Sequence, residues 1–296
     1  MWRTLVLALL ALALAVGVAA CGDDDEDEGG GDTGAQTQAQ EFPAGSTPAQ
    51  LQEKGEITIG VKYDVPPFGF KNPQTNAIEG FDVDLGRRIA EAVGAKPKFI
   101  EAISDNRIPF LKDGTADLIL STMTITAERD MEIDFSEPYF IARGRILVPQ
   151  GSDVKGVDDL AGKKVCTALG STYEETLKKE APKAELRLVD SYSECLELVQ
   201  NKAVDAVSTD DVILTGMIIQ DDTLELVEGD ELTTEPYGVG IKDGDAEMKK
   251  VVDDVIAKWK EDGGWAEAYE KWVGQYTGEK QDPPTMTLQE ALDLSK

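Results

Sequence analysis

Hydroxyl side chains and an arginine follow a short apolar run near the middle of the chain. The run is Leu118–Leu120, and the residues after it are Ser121, Thr122, Thr124, Thr126 and Arg129. Ligands of open α/β sheets bind beyond the carboxyl ends of the strands, and arginine can hold a carboxylate through two parallel hydrogen bonds. The stretch therefore predicts an anion-binding cradle. An ordinary helix start explains the same residues if Thr126 caps the helix and Arg129 is solvated.

Charge and composition narrow the classes of function. The 296 residues include 57 acids and 29 bases, which gives a net charge of −28. The strongest basic cluster is Lys249–Lys250, so nucleic acid and anionic membrane surfaces are not expected as partners. The chain contains no histidine, which excludes Ser-His-Asp and Cys-His catalysis and the usual zinc sites. We therefore predict no metal and no cofactor.

The first residues are typical of an export signal. Arg3 precedes an apolar run from Leu5 to Ala20 that is too short to cross a bilayer comfortably. The run ends in Val18-Ala-Ala-Cys21, which resembles the lipobox of bacterial lipoproteins. We predict a signal peptide at 1–20, lipidation of Cys21 and a disordered acidic linker over 21–52. An ordinary signal peptide or a short membrane anchor is the alternative.

Two further cysteines, Cys166 and Cys195, remain in the exported chain. Proteins outside the cytoplasm commonly form disulfides, so pairing of these two thiols is the simplest expectation. Two free buried thiols remain the alternative.

Short β-rich runs alternate with helical patterns from Gly55 onward, which predicts an α/β fold with parallel sheets. The first set has strands at Ile57–Val61, Lys98–Ile100 and Asp117–Leu120 and helices at Phe81–Val93 and Arg107–Lys112. The second set has strands at Lys164–Cys166, Glu185–Leu188, Ala203–Val207 and Leu224–Val227 and helices at Val157–Ala161, Ser171–Lys179, Tyr192–Gln200 and Asp210–Met217. In both sets the third strand follows a turn that ends in an aspartate, Asp117 or Asp205.

Two extended segments separate these sets and predict a two-lobed molecule. Phe140–Val148 and Tyr237–Ile241 are read as crossing strands that form a hinge, on which the lobes can close around a ligand. Lobe 1 is then 53–142 with 238–274, including helices at Ala246–Lys260 and Trp265–Val273, and lobe 2 is 143–237. Residues 275–296, with two prolines, are predicted to be a poorly ordered tail.

Seven motifs in order resemble the extracytoplasmic polar-amino-acid-binding proteins of ABC importers, solute-binding protein family 3. The resemblance covers about Glu56 to Val273. The motifs are Ile57–Val61 with Pro67-Phe68, Gly80–Leu85, Ser121–Thr126 with Glu128-Arg129, Phe135–Tyr139, Gly170–Thr172, Val204–Val207 with Asp210, and Tyr237–Ile241. The resemblance implies the type II periplasmic-binding-protein fold.

The resemblance also implies roles for individual residues. Arg129, helped by Ser121, Thr122 and Thr124, matches the group that holds the ligand's α-carboxylate, and Asp210 matches the acid that accepts the α-ammonium. Ser171 and Thr172 stand where a helix start can meet a carboxylate. Capping of the following helix is the alternative role for Asp210, Ser171 and Thr172, and the carboxylate of Asp210 could serve both purposes.

Within this family the chain most resembles the glutamate and aspartate binders. Ser104 and Arg107 lie in a stretch that resembles their loop carrying a second arginine, and Lys62 falls where they carry another base. Lys62 departs from the arginine of that position and lacks its planar fork. Solvated charges are the alternative for Lys62 and Arg107, and Tyr192 is a further candidate from lobe 2. The family likeness also implies pairing of Cys166 with Cys195.

The resulting prediction is a monomeric lipoprotein on the outer face of the cytoplasmic membrane. It would capture L-glutamate, and also aspartate or glutamine, by lobe closure and deliver it to an ABC permease and its ATPase. A dehydratase or lyase on the same fold and a sensory module for a receptor are the alternatives. An enzyme would need an acid–base pair in the cleft, which the sequence does not place.

Overall fold

The computed structural model describes residues 40–229 and 231–296. The predicted signal peptide and Cys21 lie outside the described residues. None of the helices in the part of the chain that the structure describes is long and apolar enough to cross a bilayer.

The first sheet has five strands in the order β5-β1-β6-β14-β7. Its strands are β1 Glu56–Val61, β5 Lys96–Glu101, β6 Leu118–Ile119, β7 Asp134–Phe135 and β14 Gly240–Ile241. β1 pairs in parallel with β5 and β6, while β14 is antiparallel to β6 and β7. A small antiparallel sheet beside it consists of β2 Asp64–Val65, β3 Gly69–Lys71 and β4 Ile78–Glu79.

The second sheet repeats this arrangement in the order β10-β9-β11-β8-β12. Its strands are β8 Phe140–Pro149, β9 Lys164–Ala168, β10 Glu185–Val189, β11 Ala206–Asp210 and β12 Leu224–Leu226. β9, β10 and β11 are parallel, and β8 is antiparallel to β11 and β12. The predicted parallel cores are confirmed, and antiparallel strands extend each of them.

The two aspartates that end matching turns have the same structural role in each sheet. Asp117 Oδ2 accepts a hydrogen bond from the Thr58 backbone N–H at 2.7 Å, and Asp205 Oδ2 accepts one from the Lys164 N–H at 2.7 Å. Each carboxylate thereby satisfies a backbone N–H donor of a neighbouring strand. The repeated aspartate of the sequence reflects a repeated fold.

The hinge differs in detail from the prediction. Tyr237–Ile241 was expected as one crossing strand, but it divides between two. β13 Thr234–Tyr237 pairs with β8, with Tyr237 opposite Phe140, whereas β14 joins the first sheet. Gly238 separates them, and a side chain there would collide with Ile125. The lobe boundaries near 142 and 237 stay predictions.

Helices cover both sheets. The helices are α1 Thr47–Lys54, α2 Phe81–Val93, α3 Arg107–Asp113, α4 Ala127–Asp130, α5 Thr172–Glu180, α6 Tyr192–Gln200, α7 Asp211–Gln220, α8 Ala246–Glu261, α9 Gly264–Tyr269, α10 Gln275–Thr277 and α11 Leu288–Asp293. In α2 the apolar residues Phe81, Leu85, Ile89 and Val93 recur at helical spacing and are fully buried.

The region predicted as a linker ends earlier than expected. Residues 47–52 belong to α1 rather than to a disordered segment, because Ser46 caps the helix, a proline lies in its first turn and Leu51 is buried. The short length of this helix and its weak apolar pattern concealed it in the sequence.

The C-terminal residues are also better ordered than predicted. Thr287 and Glu290 form a reciprocal capping box at the start of α11. Ala291 is fully buried in the cluster that contains Ile125 and Ile133. The Ser295 hydroxyl accepts a hydrogen bond from the Ala127 N–H at 2.8 Å, so the segment fastens onto α4. The proline pair suggested a disordered tail because these tertiary contacts leave no local pattern.

The predicted disulfide between Cys166 and Cys195 is present and joins β9 to α6. Both residues are fully buried. The bond fixes the helix that carries Tyr192 against the centre of the second sheet.

Docking of α11 can be tested by placing a charge at Ala291. We expect Ala291→Asp to lower the free energy of unfolding by about 1–3 kcal/mol, because an unpaired carboxylate would be buried. Leu294→Asp is the matched control, since Leu294 is 54% exposed at the end of the same helix. Urea unfolding followed by circular dichroism measures both changes. Equal stability of the two variants would contradict the packing of α11.

Candidate functional site

The carboxyl ends of parallel strands from both sheets meet at one boundary. Lys62 follows β1, Ser121 lies just beyond β6, Gly170 follows β9, and Asp210 is the last residue of β11. Strand ends of this kind form the usual ligand site of α/β folds. The boundary between the two sheets therefore collects the residues that the sequence identified separately.

Two arginines of the first lobe contact one carbonyl of the second. The Gly170 oxygen accepts hydrogen bonds from Arg129 Nη2 at 3.0 Å and from Arg107 Nη2 at 3.2 Å. Arg129 Nη1 also donates to the Thr124 carbonyl at 2.7 Å. Burial lowers the pKa of Arg129, and the carboxylate of Glu235 opposes that shift. The structure thus orients the Arg129 guanidinium across the boundary.

Gly170 is required at this position by its conformation and its surroundings. Its φ of +72° lies in the left-handed region, and an added Cβ would lie 2.7 Å from the Asp105 Cα. Only glycine adopts this conformation at little cost and allows such close backbone approach. The glycine belonged to a motif in the sequence, but its contact with two arginines could not be predicted there.

The guanidinium of Arg107 donates its hydrogen bonds to backbone carbonyls. Its Nε donates to Ser104 at 3.0 Å, and its Nη1 donates to Ser121 at 3.0 Å and to Thr122 at 3.1 Å, in addition to the Gly170 contact. Burial is the main cause that lowers its pKa to about 9. In this state Arg107 holds the loops of the cradle together. The prediction that it reads a ligand's side-chain carboxylate is not supported by these contacts.

Lys62 is the cation at the other end of the site. It is 1% exposed, and its Nζ donates to the Ser104 Oγ at 2.8 Å and lies 5.5 Å from the centre of the Tyr192 ring. Burial and then the nearby charge of Arg107 lower its pKa to about 7. The solvated interpretation of Lys62 and Arg107 is wrong, because both side chains are buried.

Asp210 approaches from the second lobe. It is 4% exposed and its Oδ1 accepts a hydrogen bond from the Tyr173 hydroxyl at 2.9 Å. Although it precedes α7, its side chain makes no capping hydrogen bond. Burial, followed by the charge of Glu235, raises its pKa well above the usual range. A cation placed beside this carboxylate would restore its charge, as an ammonium group could.

Glu235 is the site residue that the sequence analysis missed. It lies in β13, is 3% exposed, and its Oε2 accepts hydrogen bonds from the Thr124 Oγ1 at 2.6 Å and the Thr172 Oγ1 at 3.0 Å. It belonged to none of the recognised motifs. Only the pairing of the hinge strands brings it between the two lobes.

Asp82 holds the backbone of the cradle in place at Thr122. Its carboxylate accepts hydrogen bonds from the Thr122 N–H at 2.9 Å and from the Tyr139 hydroxyl at 2.7 Å. Thr122 has a φ of +44°, which is strained for a β-branched residue. Burial raises the pKa of Asp82 to about 7. Asp82 lay in the motif Gly80–Leu85, but its link to Thr122 depends on the fold.

The other predicted hydroxyls bond mainly within the protein. The Ser121 Oγ donates to the Ala102 carbonyl at 2.8 Å, and the Thr122 Oγ1 donates to the Ser121 carbonyl at 2.9 Å. The Ser171 Oγ lies 3.3 Å from the Thr167 Oγ1. Thr126 caps α4, as the alternative interpretation expected, while Arg129 in the same helix reaches the site. Both explanations of that stretch therefore hold in part.

Two further contacts bring the lobes together. The Ser193 N–H donates to Asp64 Oδ2 at 3.0 Å. At Gly216, in the middle of α7, an added Cβ would lie 1.7 Å from the Pro66 carbonyl oxygen. With the contact between Gly170 and Asp105, these pairs show that the two lobes touch on more than one side of the charged site. The molecule is in a closed arrangement.

The arrangement fits recognition of an amino acid better than metal binding. Within residues 40–229 and 231–296, no group of three or more His, Cys, Asp or Glu side chains is suited to holding a metal ion. The site instead has a cation at each end, Arg129 and Lys62, and acids from two different strands, Asp210 and Glu235. Such a set can satisfy a carboxylate and an ammonium at once.

Comparison with known proteins identifies relatives over most of the chain. Residues 57–275 match the family described as bacterial extracellular solute-binding proteins, family 3. The ABC transporter glutamine-binding protein GlnH of Bacillus subtilis is 37% identical over 257 residues, covering 86% of this chain and 92% of that protein. The glutamate-binding protein GluB of Corynebacterium efficiens is 30% identical over 241 residues, covering 77% and 80%.

A solved structure supports the same assignment. An ancestral arginine-binding protein bound to glutamine superimposes with a TM-score of 0.71 at 36% sequence identity, covering 74% of this chain and 98% of that chain. This likeness confirms the predicted two-lobed fold of the type II periplasmic binding proteins. With the match over residues 57–275, it shows that the chain belongs to the bacterial extracellular solute-binding proteins of family 3.

Proposed function

We propose that this chain captures L-glutamine or L-glutamate between its two lobes for an ABC transporter. The observation that carries the proposal is the position of Arg129 and Asp210 on opposite sides of a buried boundary. Arg129 would hold the α-carboxylate and Asp210 the α-ammonium, so one ligand would join both lobes. Ligand binding then favours closure because these contacts exist together only in the closed state.

Two features bear on the choice between glutamine and glutamate. Arg107 gives its hydrogen bonds to backbone carbonyls, which leaves Lys62 as the cation nearest to Ser104 and Tyr192. An amine with a pKa of about 7 can serve an amide oxygen in either protonation state, but it attracts a carboxylate only when charged. Glutamine is therefore the preferred ligand, and glutamate competes when Lys62 is protonated. The 37% identity to a glutamine-binding relative supports this order.

The family places the chain outside the cytoplasm, and the remaining cellular details are part of the proposal. We infer that Cys21 is lipidated, that the acidic residues after it form a tether, and that the monomeric chain passes its ligand to a permease and its ATPase. The relatives with which it shares most of its length are binding proteins, so no enzymatic activity is proposed.

The Arg129–Asp210 clamp can be tested by truncation. We expect Arg129→Ala and Asp210→Ala each to weaken glutamine binding at least about a hundredfold, since each leaves a charged ligand group without its partner. Arg87→Ala is the control, because Arg87 lies on the exposed side of α2 with its side chain 46% exposed. Calorimetric titration gives the affinities and circular dichroism verifies folding. Near-wild-type affinity in either folded variant would refute the clamp.

The role of Lys62 predicts a pH dependence for one ligand only. Above pH 7 the free amine is mostly neutral, and binding glutamate must then recruit a proton. We expect the ratio of glutamate to glutamine affinity to stay level below pH 7 and to fall by up to about tenfold per pH unit above it. Asp64, Asp210, Glu101 and Arg107 also act on Lys62, but they do so with either ligand.

Titrations between pH 6 and pH 9 measure this ratio. Lys62→Met should remove its pH dependence while leaving the chain folded, because methionine matches the length of the stem. A ratio that remains constant in the wild type, or that varies equally in Lys62→Met, would rule out Lys62 as the reader of the ligand side chain.

Closure itself can be tested at Gly216. We expect Gly216→Ala to weaken glutamine binding by roughly tenfold or more, because the added methyl would collide with the Pro66 carbonyl only when the lobes meet. Alanine favours helices by about 0.8–1 kcal/mol over glycine, so the unfolding free energy should not decrease. Thr215→Ala, on the same helix, is the control. Unchanged affinity would show that binding does not require this contact.

A further inference from the structure

The carboxylate of Glu235 connects the hinge to both lobes. Its strand, β13, pairs with β8, and its Oε2 accepts hydrogen bonds from Thr124 of the first lobe and Thr172 of the second. Both contacts are short, at 2.6 Å and 3.0 Å, and the side chain is 3% exposed. A buried charge with such partners costs several kcal/mol to desolvate unless nearby groups compensate for it. Packing alone does not explain why a carboxylate is buried at this position.

The direction of these hydrogen bonds determines what the two threonines can offer a ligand. An ionised carboxylate only accepts hydrogen bonds, and a hydroxyl has a single proton to donate. Thr124 and Thr172 therefore direct their protons to Glu235, and only lone pairs remain for any other partner. The hydroxyls predicted to help bind a carboxylate are consequently better acceptors than donors.

The carboxylate of Glu235 also acts on other ionisable groups of the site. The basic side chains at the lobe boundary are Lys62, Arg107 and Arg129, and the acidic ones are Asp82, Asp210 and Glu235. Glu235 raises the pKa of Asp210 and opposes the lowering of the Arg129 pKa, so its field reaches both ends of the clamp. An amino acid with a neutral side chain adds no second negative charge near Glu235. A second ligand carboxylate does, and the carboxylate of Glu235 repels it.

We propose that Glu235 is a specificity-determining residue that disfavours a ligand with an extra carboxylate. It acts by its buried negative charge and by taking the donor protons of Thr124 and Thr172. This inference rests on the proposed function, since it concerns the choice between glutamine and glutamate in the same site. It adds a hinge residue to a selection that the sequence attributed to Lys62 and Arg107 alone.

The ratio of glutamate to glutamine affinity isolates this effect. Both ligands share the α-carboxylate and α-ammonium, so damage to the clamp or the hinge weakens both and cancels in the ratio. Removing a unit charge from a poorly screened site is expected to change the relative affinity by about tenfold or more. We expect Glu235→Gln to raise the ratio to that extent at pH 7 in the full chain.

Three companion variants make the result decisive. Glu235→Met removes the charge by a different side chain and should raise the ratio in the same direction if Glu235→Gln does not fold. Thr124→Val keeps the charge of Glu235 and should weaken both ligands with little change in the ratio. Glu231→Gln is the matched control, because Glu231 lies in the same segment but is half exposed and paired with Arg143 at 3.1 Å.

Calorimetric titration with L-glutamine and L-glutamate gives the ratios, and thermal unfolding verifies each fold. A wild-type chain that binds neither amino acid would overturn the proposed function and this inference with it. A wild-type chain that binds, together with unchanged ratios in folded Glu235→Gln or Glu235→Met, would overturn the role of Glu235 alone. A rise of the same size in Glu231→Gln would also overturn it, since a remote exposed charge would then suffice.

Discussion

The cost of burying charge is the constraint on which this structure depends. Six charged side chains lie at or near the boundary between the lobes, where water screens them poorly. Each has a protein partner, and the Gly170 carbonyl serves two guanidiniums at once. The Gly170 contacts of both arginines and the two threonine contacts of Glu235 join different lobes or the hinge, so these contacts exist together only when the lobes meet. A zwitterionic ligand would add its own charges to the same network.

Packing around the boundary fixes the positions of these charged groups. Phe140 and Tyr237, from the paired hinge strands, pack with Phe68, Phe81 and Trp265 in one aromatic cluster. The disulfide fixes α6, and the C-terminal helix packs against α4, the helix that carries Arg129. Glycines at 170 and 216 then allow backbone from one lobe to touch the other.

Much of this organisation could be predicted from the sequence, and the exceptions have physical causes. Alternating patterns predicted both parallel cores, and the repeated aspartates before the third strands indicated two similar lobes. Arg129 was predicted because it follows a strand and a run of hydroxyls, and Asp210 because of the resemblance to the solute-binding family. Glu235 was not, since its importance arises from strand pairing in the hinge. The backbone contacts of Arg107 could not be predicted, because the sequence does not reveal that carbonyls from several loops surround it. The helices at both ends of the folded part were missed for a related reason: they are short and depend on tertiary packing.

One small amino acid is expected to satisfy Arg129 and Asp210 together. The most direct measurement is calorimetric titration of the chain, unfolded and refolded to remove any carried-over ligand, with L-glutamine and L-glutamate at pH 7. We expect saturable one-to-one binding of glutamine and weaker binding of glutamate. Absence of binding by both amino acids, with the refolded chain shown to be native, would contradict it.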